Sequence, residues 1–200
     1  MAVTTSHAPL VDRIWSGSTN RVLRNVALAI VGVAVLTLSA KVQVPFYPVP
    51  MTLQTLAVLL IGAAYGWRLA IATVALYLMQ GLLGVPVFAN TPPAVPSAAY
   101  FMGPTAGFLA GFIASAALVG FAIEKGAVRS IPMLTGVVLL AQAIVFALGI
   151  LWLAQFATMA SGATGIGFER AIKAVQPFIL GDLVKSAIAI VAITLFAKKV

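Results

Sequence analysis

Six apolar runs, broken by short polar or proline-rich joints, set out the chain. The first extends from Val26 to Ala40, behind Arg13, Arg21 and Arg24. The second opens at Met51-Thr52-Leu53-Gln54-Thr55-Leu56 and ends near Gly66, which is short for the ~20 residues a membrane span needs. The third covers Leu69 to Leu83, the fourth Gly103 to Ile123, and the fifth Pro132 to Phe156. The sixth begins at Pro177 and continues to Phe196, with Lys198 and Lys199 behind it. Runs this long and this free of charge predict helices that lie in lipid rather than on a soluble core. Residues 1–20 read as a flexible polar leader, and 21–200 as a single transmembrane domain. The basic start of the first run imitates a signal peptide, but Leu38-Ser39-Ala40 is a poor cleavage site, so the run is read as a helix.

The joints differ in kind. Lys41 to Pro50 holds Pro45, Pro48 and Pro50, which favours an extended or turned backbone, with Phe46 and Tyr47 suited to the membrane interface. The joint after the third run, from Gly84 to Tyr100, is again proline-rich and carries no charge. Proline-rich backbone of this kind is tolerated at membrane depth where it lines a cavity. Thr52, Gln54 and Thr55 are then available to that cavity, as are Asn90 and Tyr100 from the second joint; helix capping by Thr52 and turn formation by Asn90 are the ordinary alternatives. In the fourth run Gly103, Gly107, Gly111 and Ser115 recur at every fourth residue, and Ala106, Ala110 and Ala114 line the next row. Such rows let helices approach closely, whether within one chain or between subunits. Gln142, Trp152 and Gln155 interrupt the fifth run; its glutamines are able to bond neighbouring helices or a ligand, with packing the default.

Composition agrees with the pattern. Of 200 residues, 62% are hydrophobic and 8% charged, and the mean hydropathy is +1.11. Ordinary soluble domains carry about 25% charged residues, so this chain is an integral membrane protein. The net charge of +8 does not call for nucleic acid, because Lys and Arg near helix ends set orientation. With six helices both termini share a side. That side holds Arg13, Arg21, Arg24, Arg68, Lys125, Arg129, Lys198 and Lys199, against Lys41, Arg170 and Lys173 on the other. The positive-inside rule then puts both termini in the cytoplasm and both proline-rich joints outside. There is no Cys, and the one His lies in the leader, so thiolate chemistry and a His metal site are excluded. A membrane enzyme would want His, Cys or clustered acids, which four acidic residues hardly provide.

The remaining chemistry is concentrated in Gly181-Asp182-Leu183-Val184-Lys185 of the sixth run. An ionisable group at mid-bilayer costs roughly 2.5–3.5 kcal/mol on insertion scales, so such groups are usually functional. At a spacing of three residues Asp182 and Lys185 share one helix face and neutralise each other. They read either as a structural ion pair or as the polar floor of a pocket for a small, largely apolar ligand. Counted from Pro177, Asp182 is about 7 Å and Lys185 about 12 Å along the helix, which places the pocket in the outer half of the bilayer.

Four blocks in order resemble the signatures of the BioY family: Val49-Pro50-Met51-Thr52-Leu53-Gln54-Thr55, Gly84-Val85-Pro86-Val87-Phe88, Gly103-Pro104-Thr105-Ala106-Gly107-Phe108 and Gly181-Asp182-Leu183-Val184-Lys185. The family comprises the biotin-specific substrate-binding components of energy-coupling factor transporters. The resemblance implies an all-α protein of about six transmembrane helices in the cytoplasmic membrane of a prokaryote, with an outward-facing biotin pocket. It further implies a transmembrane coupling protein and ATP-binding-cassette ATPases as partners, with ATP used only by those ATPases and no cofactor in this chain. In keeping with that, the sequence has no Gly-x-x-x-x-Gly-Lys-Ser/Thr phosphate loop. The family's pocket Asp and Lys match Asp182 and Lys185. Its pocket Asn is matched by Asn90, although the loop is proline-rich here where the family's is glycine-rich. Members often dock the coupling protein through a row of small residues on the first helix; here that row is Ala27, Val31 and Val35. The alternatives are a structural or assembly membrane subunit whose Asp182–Lys185 pair only packs helices, or a binding component for another small vitamin.

Overall fold

In the computed structural model, residues 9–14, 20–90 and 97–199 are described. The elements are α1 (Leu10–Ile14), α2 (Arg21–Lys41), β1 (Gln43–Val44), β2 (Met51–Thr52), α3 (Gln54–Leu82), α4 (Ser97–Tyr100), α5 (Ala106–Glu124), a 3-10 turn (Ala127–Arg129), α6 (Ile131–Gln155) and α7 (Phe168–Lys199). Five of these, α2, α3, α5, α6 and α7, are long and apolar enough to cross a membrane. Their outward faces are aliphatic, as at Val22, Leu38 and Leu180, which are 72%, 68% and 74% exposed. That surface suits contact with lipid tails and would be a liability in water. Within the leader, α1 lies against the bundle: Leu10 is buried and Asp12 pairs with Arg24 at 2.6 Å.

α3 is two rods. Gly66 has φ 73° and ψ 168°, a conformation that halts the helix and that side chains with a Cβ resist. In one straight helix Gln54 and Tyr77 would lie about 35 Å apart. Instead Gln54 Nε2 donates to Tyr77 Oη at 2.7 Å, so residues 54–65 and 67–82 run back along each other. Glu124, at the end of α5, closes the turn by accepting the Trp67 N–H at 3.2 Å.

The small residues of α5 serve contacts inside the chain. A Cβ on Gly107 would sit 2.3 Å from the Trp152 Cβ, and one on Gly111 would sit 2.8 Å from the Val145 Cα, so both glycines admit α6 to close range. Two apolar clusters result. One gathers Leu10, Leu59, Ile123, Leu134 and Ile193 at the end of the bundle where the Gly66 turn lies. The other gathers Leu36, Val74, Phe88, Phe112 and Phe178 toward the opposite end.

Three readings of the sequence need amendment. The fold is mostly helical rather than all-α, because Lys41 to Leu53 includes an antiparallel ribbon in which Gln43 pairs with Thr52 and Val44 with Met51. Two-residue strands leave no periodic trace in a sequence. α7 begins at Phe168, not Pro177; Glu169, Arg170 and Lys173 belong to its first turns, where Lys173 bonds Glu169 four residues back at 2.7 Å. Pro177 is thus inside the helix and removes one backbone hydrogen bond without ending it. Measured from Phe168, Asp182 is about 21 Å along the axis, near the middle of α7 rather than close to its outer end.

Candidate ligand-binding site

α7 delivers Asp182 and Lys185 to the interior, 5% and 6% exposed, with Nζ 2.5 Å from Oδ1. Two other helices add donors to the same oxygen. Thr55 Oγ1 of α3 donates at 2.6 Å, and Gln142 Nε2 of α6 donates at 3.2 Å. Oδ1 therefore accepts two hydrogen bonds and lies against the Lys185 ammonium, whereas no described residue donates to Oδ2. The Lys185 ammonium has three protons. Besides Asp182 it reaches the Thr52 carbonyl of β2 at 2.9 Å, so two acceptors are identified for three donors. The ribbon is held over α7 by this bond, by Met51 against Gly181 and by Phe46 against Phe178, with ring centres 5.6 Å apart.

Asp182, Lys185, Thr52, Thr55, Met51 and Phe178 line a cavity of about 50 Å³. Of the six residues singled out in the sequence, Thr52, Gln54, Tyr100, Asp182 and Lys185 border it. Phe108, Phe112, Phe146 and Phe178 supply much of the apolar wall. Asn90 does not border it. It is exposed and lines a second, outer cavity of about 480 Å³. Tyr100 and Thr105 border both spaces, so the two cavities adjoin. Lys41, Arg170 and Lys173 line neither; Lys41 donates to the Phe88 carbonyl at 2.7 Å and Lys173 faces solvent.

The remaining polar groups hold the walls. Gln54 Oε1 accepts from Thr52 Oγ1 at 3.3 Å, while its amide bridges to Tyr77, whose hydroxyl donates to the Val87 carbonyl at 3.2 Å. Thr52 Oγ1 also accepts the Gln54 N–H at 3.2 Å, so capping is part of its role. Phe88 is stacked on Tyr100 at 4.4 Å and meets Tyr77 edge-on at 5.4 Å. Burial outweighs the hydrogen bonds of Tyr100 to Thr105 and Ala89 and raises its pKa above the ordinary tyrosine value, so its phenol stays neutral. In the sequence Gln142 and Tyr77 stand out only as polar members of apolar runs. Each interrupts an apolar run, which was the available signal, but a run does not show what its polar member faces.

The fold and site define a multi-pass helical membrane protein that encloses a small, mainly apolar cavity with one charge-paired polar face. The BioY family model matches residues 8–200, and the chain belongs to that family. It is 32% identical to the probable biotin transporter BioY of Pyrococcus horikoshii, over 84% of this chain and 93% of that protein. It is 33% identical to the biotin transporter BioY of Thermotoga maritima (84% and 92% covered) and 38% identical to that of Rhodobacter capsulatus (81% and 87% covered). The fold is shared with the crystal structure of the S-component for biotin from an ECF-type ABC transporter, with a TM-score of 0.74 at 22% identity, covering 90% of this chain and 94% of that one.

Proposed function

We propose that this chain is the substrate-specific subunit of an ECF-type biotin transporter and that it binds biotin in the cavity floored by Asp182 and Lys185. Membership of the BioY family and the names carried by its relatives support the ligand. The observation that carries the assignment is the unequal use of the two Asp182 oxygens. Two hydrogen bonds and the Lys185 ammonium fix Oδ1, and Oδ2 has no donor among the described residues. The ureido ring of biotin presents N–H donors next to a carbonyl acceptor. An N–H to Oδ2 and the carbonyl to Lys185 Nζ would complete both groups with charge-assisted bonds. The thiophane ring and valerate chain then meet the phenylalanine walls. A pair retained only for packing would give no reason to leave one carboxylate oxygen without a donor.

The ligand enters through the outer cavity, past Tyr100, with the bicyclic head deep and the carboxylate toward the rim. The 50 Å³ of the inner cavity is room for a water rather than a bicyclic ring, so the walls must part on binding. The two rods of α3 each count as a crossing, giving six, with both termini cytoplasmic and the ribbon outside. Residues 54–65 span only about 18 Å, so that crossing is completed by the ribbon and not by helix. Energy comes from a transmembrane coupling protein and ATP-binding-cassette ATPases in the cytoplasmic membrane of a prokaryote. Binding of labelled biotin to the purified chain tests the assignment. Micromolar or tighter affinity, lost in both Asp182→Asn and Lys185→Met, is the expected result. Affinity no tighter than millimolar in the unaltered chain would overturn it.

A further inference from the structure

A further cavity, of about 790 Å³, lies at the Gly66 turn, the end of the bundle remote from the biotin site. Different elements bring its cations together. Arg24 comes from α2, Arg68 from the start of the second rod of α3, and Lys125 from the residue that ends α5. Arg24 is already matched by Asp12 at 2.6 Å, and Glu124 is engaged by the Trp67 N–H. Arg68 and Lys125 have no carboxylate within ion-pairing distance among the described residues. Each instead lies over an aromatic ring: the Arg68 guanidinium is 5.1 Å from the centre of Trp67, and Lys125 Nζ is 5.4 Å from that of Phe121. The lining thus combines these cations with aromatic and aliphatic side chains, and Leu69 and Ala72 belong to a membrane-spanning helix. Cations beside apolar surface at the end of a membrane-spanning helix suit a lipid at the interface.

We propose that this cavity holds the phosphate of an anionic lipid headgroup, with Arg68 and Lys125 as its ligands. A planar guanidinium takes two phosphate oxygens and an ammonium takes one. Trp67 and Phe121 hold both cations at the cavity, and the glycerol backbone rests on their rings. The headgroup supplies the negative charge that Glu124, held in the turn, does not supply to both cations. The site would tie the Gly66 turn to one leaflet and is independent of biotin binding.

The test is native mass spectrometry of the full-length chain released from detergent with equimolar phosphatidylglycerol and phosphatidylcholine. The unaltered chain is expected to retain one phosphatidylglycerol in preference to phosphatidylcholine. The double variant R68Q/K125Q is expected to lose that retention by roughly tenfold or more, while its biotin affinity is unchanged, which also certifies its fold. The charge-conserving variant R68K/K125R is expected to keep most of the retention. Equal retention of the two lipids by the unaltered chain, or undiminished phosphatidylglycerol on R68Q/K125Q, would overturn the proposal. So would displacement of the lipid by glycerol phosphate at the lipid's own concentration, which would make a soluble phosphate the ligand.

Discussion

The two oxygens of Asp182 have different surroundings, and that asymmetry makes binding separable from stability. Removing one member of a buried ion pair leaves the other uncompensated, at a cost of about 3–5 kcal/mol. Asp182→Asn and Lys185→Met should each lower the melting temperature as well as abolish binding. The double variant D182N/K185M removes both charges, so it should recover much of the lost stability and none of the affinity. Thermal unfolding and labelled-biotin binding on the three variants check this; affinity returning with stability would mean that the pair only packs. Gln142 and Thr55 act through Asp182. Replacing Gln142 with Leu or Thr55 with Val removes one donor from Oδ1 and should weaken biotin binding by roughly tenfold, in line with ~1–1.5 kcal/mol per hydrogen bond. An affinity unchanged in both would show that Oδ1 needs no orientation.

Among the elements, α3 is the one whose form depends most on a single residue. A Cβ at Gly66 would stand 2.2 Å from Glu124 Oε1 and 2.8 Å from the Pro9 Cγ, on a backbone at φ 73°. Gly66→Ala should therefore cost roughly 1–3 kcal/mol, read as a lower unfolding midpoint in detergent. A stability equal to the parent would mean that the turn is not held as described. The sequence already separated the two rods, because Gly66-Trp67-Arg68 breaks an otherwise apolar stretch. It also marked Asp182 and Lys185, because charge in an apolar run is conspicuous. It did not place the start of α7: Glu169, Arg170 and Lys173 look like a loop until Glu169 and Lys173 are seen to pair along one helix face. Nor did it show the ribbon, whose strands are too short to have a period. Asn90, matched to the family's pocket Asn by resemblance, borders the outer cavity and not the inner one.

At the scale of the molecule, the two ends of the bundle differ in what they gather. The Gly66 end gathers Arg24, Arg68 and Lys125 around one cavity, and the ribbon end opens through Asn90 and Tyr100 toward the other. The chain has no cysteine, so a single introduced thiol reports sidedness without background. In intact cells Asn90→Cys should react with a membrane-impermeant maleimide, whereas Lys125→Cys should react only after permeabilisation. The reverse pattern would invert the topology. Ligand recognition turns on what meets Asp182 Oδ2. A structure of the complex with biotin is the most direct measurement. It should place a ureido N–H donor about 2.7–3.2 Å from that oxygen and the ureido carbonyl within the same reach of Lys185 Nζ. A bicyclic ring lodged elsewhere, or a valerate carboxylate on Lys185 in its place, would contradict it.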